Sequence, residues 1–367
     1  MSSGPHAETA ASIVGQPPPG GGDDVAFASA KPRSRRGGQL FGLVCLVAAW
    51  FGVLVLSILL VGTVIEAWGW LDWQFLTGDP KVNDAEGSGA RPAVWGTLWL
   101  ILLTGVLAIP VGVGAAVYIE EFAPDNWFRK FVQINLANLA GVPSVVYGLL
   151  GLTVFVRMFG VIPDDQQIAI PPSSMLEWPI PLTDSTVRLA QVRIPLPFGR
   201  TVISGAMTMA LLILPVIIVA SQEALRAVPP SIRHASLALG ATKWQTIRRQ
   251  VLPAGAPGIL TGVILSISRA IGETAPLIIL GAATFIPRSP GGIETIGDLV
   301  SKPDAVVQAP FDNFTTMTLQ IYSWIEETDG DYKHVTAAGI LVVLAVLLVL
   351  NSLAVLIRNR FQRYVRW

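Results

Sequence analysis

The nine residues "SRAIGETAP", 268–276, place an arginine and a glutamate inside an otherwise apolar stretch of the chain. Arg269 and Glu273 are four residues apart, so a helix would carry both on one face. The planar guanidinium of arginine offers a fork of donors that fits the oxygens of a phosphate. The chemistry that these residue types suggest is reversible binding of an oxyanion, with Glu273 competing for the arginine and so promoting release.

A second interpretation is that Arg269 and Glu273 only neutralise each other and hold helices together. An ionisable side chain within a membrane span costs about 3 kcal/mol or more unless it is paired or faces the bundle interior, which both interpretations satisfy. Pro276 would free the carbonyl of Gly272 beside the pair and allow a bend. Prolines near the middle of other apolar runs, Pro110, Pro143 and Pro215, suit helices that bend around a pathway. We carry forward the interpretation in which Arg269 and Glu273 line a transport path.

The elements that position this pair are membrane helices. The chain is 52% hydrophobic and only 14% charged, whereas soluble domains carry about 25% charged residues. Its zero net charge argues against a nucleic-acid partner. A helix needs about 20 apolar residues to cross a bilayer, and this predicts an all-α membrane protein with about six transmembrane helices. The apolar segments lie near 40–65, 93–118, 131–158, 201–221, 257–283 and 335–356.

Basic residues collect at alternate ends of these segments, and the opposite ends are acidic. Because lysine and arginine are retained on the cytoplasmic side, both termini are predicted to be cytoplasmic. We predict a disordered cytoplasmic tail at 1–38, a first transmembrane helix and outer loop at 39–92, and a transport core at 93–367. The basic residues are Lys31, Arg33, Arg35, Arg36, Arg129, Lys130, Arg226, Arg233, Lys243, Arg248, Arg249, Arg358, Arg360, Arg363 and Arg366.

The cytoplasmic segment "SIRHASLALGATKWQTIRRQVLP", 231–253, is basic and amphipathic. Ser231 suits the N-cap of a first short helix, and Gly240 suits a left-handed turn that ends it. Thr242 can cap a second short helix, in which Trp244 begins an apolar stripe and Pro253 marks the end. The pattern leaves two alternatives open: an L-shaped plug for a cleft on a soluble partner, or an amphipathic loop on the lipid headgroups.

The order of residues in this segment resembles the EAA loop of ABC-importer permeases. Ala235, Ser236, Gly240, Leu252 and Pro253 match the loop's pattern with its spacing, and His234 stands where that family has a glutamate. The resemblance implies a coupling loop, 223–256, that docks into an ATPase subunit and transmits its closure to the spans. The residues assigned to coupling are Ser231, His234, Ala235, Leu239, Gly240, Trp244, Leu252 and Pro253.

Three further stretches resemble the permease subunit of phosphate ABC importers (PstA type): "LAGVPSVVYGLLGL", "LPVIIVASQEALRAVPPSIR" and "GILTGVILSISRAIGETAPLIILG". Pro143, Ser144 and Tyr147 carry over from the first of these as gating or packing residues, and Pro276 from the last. The resemblance implies a type I importer bundle with a cytoplasmic coupling helix in the bacterial inner membrane. It also implies three partners: a second, homologous permease, an ATPase homodimer, and an extracytoplasmic phosphate-binding protein received by the outer segments 160–199 and 284–334.

The chain has no Walker A sequence, and its three histidines are scattered. We therefore expect no catalytic site, metal or cofactor in this chain, with ATP and Mg²⁺ bound by the partner ATPase. The alternatives are a permease for molybdate or sulfate, an ion-coupled secondary transporter, and a membrane enzyme. The Arg269–Glu273 pair and its context argue against the first. The second would predict inverted repeats, which the sequence does not show, and the third would need a catalytic constellation.

Overall fold

The computed structural model describes residues 35–81, 84–158, 167–169, 193–195, 197–282 and 286–362. Most of the predicted tail 1–38 and of the outer segment 160–199 lies outside the described residues. The described elements are α1 (Arg35–Ala67), α2 (Trp73–Thr77), α3 (Arg91–Val117), α4 (Trp127–Leu139), α5 (Ser144–Gly151), β1 (Gln167–Ala169), β2 (Arg193–Pro195), α6 (Val202–Arg226), α7 (Pro230–Ala238), α8 (Lys243–Thr246), α9 (Leu252–Gly272), α10 (Ala275–Leu280), α11 (Asp298–Ser301), α12 (Pro303–Gln308), α13 (Met317–Glu326) and α14 (Tyr332–Gln362).

The predicted all-α class is confirmed, since the two strands of the described chain form only a three-residue antiparallel pair. π-helical turns extend α3 to Phe122 and α5 to Val156, and another joins α8 to α9. Within the described residues, five helices are long and apolar enough to cross a membrane, and a bent pair adds a sixth candidate. The five are Gln39–Ala67, Arg91–Phe122, Val202–Arg226, Lys243–Gly272 and Tyr332–Arg360.

The third predicted span, 131–158, is not one continuous helix. It consists of Trp127–Leu139 and Ser144–Val156, bent by 103° at the four residues between them. Pro143 is the N-cap residue of α5 and not a mid-span residue. The bend follows from proline chemistry, because Pro143 lacks an N–H and disfavours helical backbone at the residue before it.

Contacts between α3 and α6 show that the bent pair crosses the membrane completely. Thr104 lies against Ala206, with its hydroxyl 3.5 Å from the carbonyl oxygen, and further along Gly112 packs on Ile217. Residue numbers rise together along both helices, so α3 and α6 run parallel. Two parallel neighbouring spans require one crossing between them, which only α4 and α5 supply among the described elements. The described residues therefore contain six candidate spans, in line with the predicted number of about six.

The fifth predicted span, 257–283, begins earlier and ends earlier in the structure. The helix starts at Lys243, runs to Gly272, and stops at Glu273, whose backbone is extended. Pro276 lies in the first turn of the separate helix α10, where its missing N–H has no intrahelical partner to lose. The prediction of a continuous fifth span that bends near Pro276 is therefore corrected: the chain breaks into two helices at Glu273 and Thr274, before the proline.

The core of the membrane bundle is centred on α6, whose Met209, Ile213 and Ile217 are fully buried. A second cluster joins α2, α13 and α14, with Phe75 packed on Trp324 at 5.8 Å between ring centroids. Between α3 and α13, the hydroxyl of Thr97 accepts a hydrogen bond of 2.9 Å from the backbone N–H of Met317. These contacts attach the outer part of the chain firmly to the spans.

The outer segment 284–334 is folded into the short helices α11 to α13 over its described part. Asp298 accepts hydrogen bonds of 3.0 Å from the backbone N–H groups of Glu294 and Thr295. The Glu294 N–H has the largest effect on the pKa of this carboxyl, which it holds well below the ordinary value, and Lys302 adds a smaller contribution. Protonation at ordinary pH therefore does not loosen this turn.

Replacing Gly148 by alanine should destabilise the protein. A Cβ at this position of α5 would lie 2.8 Å from both the Cα and the carbonyl oxygen of Pro276, and backbone atoms there cannot rotate away. We expect a loss of about 1–3 kcal/mol in the free energy of unfolding, measured by thermal unfolding in detergent. Gly114→Ala is the matched control, since nothing lies within 4 Å of its Cβ position. Equal stability of the two variants would contradict the tight α5–α10 contact.

Candidate functional site

The predicted pair Arg269 and Glu273 lies at the break between α9 and α10. The guanidinium Nε is 3.4 Å from a carboxylate oxygen of Glu273, and the two side chains are 46% and 23% exposed. Arg269 is in the last turn of α9, whereas Glu273 already has extended backbone (φ −86°, ψ 114°). The prediction that one helix carries both residues is therefore corrected, but the ion pair is present.

The pair lies on a face of α9 that the rest of the described chain leaves open. Leu265, Arg269 and Gly272, spaced at helical intervals on this face, are all exposed. Ser266 donates instead to its own helix, and Ser268 bonds the side chain of Asn351 at 2.6 Å. A charged group cannot remain against lipid hydrocarbon. The open face must therefore meet water or another subunit.

The predicted residues of α5 come close to this site. Tyr147 is buried and donates a hydrogen bond of 2.9 Å to the carbonyl of Leu139, which fastens α4 to α5 across the bend. Gly148, the next residue along α5, packs closely against the backbone of Pro276 in α10. Ser144 is the first residue of α5, immediately after Pro143. The two motifs "VPSVVYG" and "SRAIGETAP" thus meet in one region, although they are about 120 residues apart in the sequence.

The coupling segment has the predicted corner but a different start. Helix α7 begins at Pro230 with Pro229 as N-cap, and no side chain caps it. The prediction that Ser231 is the N-cap is therefore wrong: the rigid Pro229–Pro230 pair starts the helix two residues earlier. His234 consequently is not at the position of a capping box, and its side chain is exposed.

Gly240 adopts the predicted left-handed conformation (φ +83°) between α7 and α8. Thr242 caps α8 as predicted, in a capping box where its backbone N–H donates to the Gln245 side chain at 2.9 Å. Across the corner, the Ser236 and Thr246 hydroxyls are 2.9 Å apart. The corner of the L is therefore defined by local hydrogen bonds on both sides of the glycine.

The second arm is not a separate short helix. It continues through Leu252 and Pro253 directly into the fifth span, so Pro253 does not end it. Ile247 and Val251 are buried, whereas Trp244 and Leu239 are 56% and 89% exposed. Ala235 is exposed beside them, at the edge of a cleft of about 480 Å³ inside the corner. This part of the segment presents apolar side chains outward, ready to contact another molecule.

Two carboxylates at the end of α3, Glu120 and Glu121, were not predicted from the sequence to form contacts. Glu120 accepts from Arg226 at 3.0 Å and from Arg129 at 3.4 Å, and Glu121 accepts from Arg233 at 2.9 Å. The available signal was the acidic pair in "YIEEF", which directly follows a span at an end where the other charges near the membrane are basic. No cluster of three possible metal ligands occurs among the described residues.

Six candidate spans in the described residues, with a folded corner between the fourth and fifth, indicate a polytopic membrane protein. Residues 108–366 match the family described as the binding-protein-dependent transport system inner membrane component. Because this match covers most of the sequence, the chain belongs to that family of ABC-importer permeases, which are multi-pass proteins of the inner membrane.

Curated relatives agree with the family and differ in their names. The chain is 32% identical over 258 residues to the probable ABC transporter permease protein YqgH of Bacillus subtilis, covering 70% of this chain and 71% of the relative. It is 30% identical over 245 residues to the phosphate transport system permease protein PstC of Pasteurella multocida (65% and 72% covered). It is 33% identical over 192 residues to PstA 1 of Mycobacterium tuberculosis (52% and 51% covered).

Among solved structures, the chain is similar to a chain of a bacterial alginate ABC transporter in complex with an alginate-pentasaccharide-bound periplasmic protein. The TM-score is 0.51 at 18% sequence identity, over 87% of this chain and 93% of the other. At this level of identity the likeness shows the fold alone.

Proposed function

We propose that this chain is a permease subunit of an ATP-driven importer of inorganic phosphate and forms half of the translocation pathway. The observation that carries the proposal is the Arg269–Glu273 pair on the open face of α9, 3.4 Å apart at a break in the fifth span. Names of relatives such as PstC and PstA 1 support phosphate as the substrate. A second, homologous permease would cover the open face and complete the path.

Arg269 would bind a phosphate oxygen through its guanidinium, and Glu273 would recapture the arginine when the anion leaves. The partial exposure of Arg269 leaves donors free for an anion. Since Glu273 and Thr274 form a non-helical link between α9 and α10, α10 can tilt without bending α9. This would let the path alternate between inward and outward exposure as the populations of two conformations shift.

The remaining machinery would be supplied by partners. An ATPase homodimer would bind ATP and Mg²⁺, hydrolyse the nucleotide, and receive Leu239 and Trp244 of the coupling segment. An extracytoplasmic phosphate-binding protein would deliver the anion to the outer segments. Arg226, Arg233 and Lys243 at one end of the spans support a cytoplasmic location for the coupling segment and for both termini.

The proposal is tested by ATP hydrolysis and uptake in liposomes that contain the complete complex with its binding protein. We expect stimulation by phosphate and none by sulfate or molybdate. Stimulation by sulfate or molybdate would agree with an ATP-driven importer but would contradict phosphate as its substrate. Uptake driven by an ion gradient without the ATPase would contradict the ATP-driven mechanism.

Replacing Gly240 by alanine should weaken coupling without unfolding the protein. Nothing lies within 4 Å of the added Cβ, so the change acts only through the positive φ of +83°, which costs about 1 kcal/mol for alanine. We expect phosphate-stimulated ATP hydrolysis to fall about two- to fivefold, equivalent to roughly that energy. Gly69→Ala, with φ +88° and equally open space, is the matched control. If Gly240→Ala and Gly69→Ala lower ATP hydrolysis equally, the loss comes from backbone strain at any such glycine and not from a specific role of the corner at Gly240.

A further inference from the structure

Helix α7 is held to the spans by few contacts. None of its residues is fully buried, and Ile232 is only partly buried where it packs against the core of the bundle. Its polar attachments in the described structure are the Ser236–Thr246 contact and the side chain of Arg233. The first of these lies within the coupling segment itself. Arg233 alone therefore makes polar contacts from α7 to the ends of other spans.

The guanidinium of Arg233 makes four hydrogen bonds. Nε and Nη2 donate to Oε1 of Glu121 at 3.2 and 2.9 Å. Nη1 donates to the carbonyl of Val228 at 2.7 Å, and Nη2 also to that of Leu225 at 2.8 Å. The Arg233 and Glu121 side chains are only 22% and 9% exposed. One side chain thus connects α7 to the C-terminal ends of both α3 and α6.

The neighbouring carboxylate, Glu120, joins further span ends at the same place. Glu120, which is 14% exposed, accepts from Arg226 at the end of α6 and from Arg129 at the start of α4. Lys243 of α8 lies over the ring of Phe122, 5.3 Å from its centroid. The ends of three spans and α7 therefore meet at the two glutamates, and α8 contacts Phe122, the residue that follows them. Charge-assisted hydrogen bonds of this kind are stronger and more directional than neutral ones.

We infer that Arg233, Glu121 and Glu120 form a joint that passes the movement of α7 to α3 and α6, with Arg233 as a positioning residue. The inference rests on the proposed function. When an ATPase subunit displaces α7, an intact joint moves the ends of both parallel spans together. Without the joint, α7 moves while α3 and α6 remain, and ATP hydrolysis no longer drives transport.

The test uses Arg233→Gln, Glu121→Gln and the double variant in the complete complex. We expect each single variant to lower phosphate transported per ATP hydrolysed about tenfold, within the usual range of coupling energies. Because the two residues act through one contact, the double variant should be no worse than the poorer single variant. Lys81→Gln, which breaks an exposed ion pair of 2.9 Å with Asp84, is the control and should leave this ratio unchanged. Additive losses would overturn the inference.

A second measurement separates transmission from folding. The only cysteine, Cys45, can be replaced by serine, and Leu265→Cys then places one thiol on the face that carries Arg269. We expect ATP to change the labelling rate of this thiol by a membrane-impermeant reagent in the otherwise unaltered complex. In Arg233→Gln we expect ATPase binding to persist and the ATP-dependent change to be lost. If Arg233→Gln keeps the ATP-dependent change in labelling rate, or loses ATPase binding, the proposed role of the joint is overturned. Failure of phosphate uptake in the unaltered complex would instead contradict the proposed function.

Discussion

Replacing Arg269 by glutamine should lower phosphate uptake about 10- to 100-fold, since a hydrogen bond to a charged group contributes about 1.5–3 kcal/mol. Glutamine keeps a polar side chain of similar reach and removes the positive charge. Because Arg269 is 46% exposed in this chain, the change leaves no cavity, but it removes the ion-pair partner of Glu273, so assembly of the complex is measured before uptake is compared. Arg269→Lys should be intermediate, since an ammonium attracts phosphate but lacks the planar fork of donors.

Uptake of radioactive phosphate into liposomes measures this effect, and Arg288→Gln in the outer segment controls for general loss of positive charge. Glu273→Gln gives an independent check. If Glu273 promotes the release of phosphate, Glu273→Gln should lower both the maximal uptake rate and KM. The reason is that phosphate bound to Arg269 becomes too stable a ground state. Normal transport by Arg269→Gln would favour the interpretation in which the pair only joins helices. An equal loss from Arg288→Gln would show that the effect is not local.

The number of spans could be predicted because each requires a long apolar run, whatever its neighbours. The course of the chain within a run could not. Pro110 and Pro215 lie inside continuous helices, whereas Pro143 and Pro276 begin new ones. Pro110, Pro143 and Pro215 all follow similar apolar sequences. Whether the hydrogen bond that a proline removes bends a helix or ends it depends on which neighbouring groups can satisfy the freed carbonyl. Those neighbours come from distant parts of the chain, so the local sequence does not reveal them.

The candidate site was predictable where its signal was local. The spacing of Arg269 and Glu273 and the glycine at 240 needed no partner from elsewhere in the chain. The joint was not predictable in this way, because Glu121 and Arg233 are 112 residues apart. The acidic pair in "YIEEF" indicated an unusual charge but gave no partner. The parallel course of α3 and α6 brings these charges together, and it depends on the complete crossing by α4 and α5.

Replacing Leu239 by aspartate should weaken ATPase binding about 30-fold or more, since an anchor residue of an interface contributes about 2 kcal/mol or more. Leu239 is 89% exposed in this chain and contributes little to its stability. Such exposure of a large apolar side chain at the tip of a folded corner is typical of a surface that a partner covers. Aspartate would have to be desolvated without a partner charge when the ATPase closes over it.

Binding of the purified ATPase to the permease pair in nanodiscs measures the effect directly. Ile296→Asp is the matched control, because this residue is 78% exposed and lies in the outer segment; it should leave ATPase affinity unchanged. Trp244→Ala should act in the same direction as Leu239→Asp, since Trp244 is presented from the other arm of the same corner. If Leu239→Asp binds the ATPase normally and instead alters partition into lipid, the segment lies on the headgroups. The exposed leucine would then be a membrane contact, and the alternative left open by the sequence pattern would be correct.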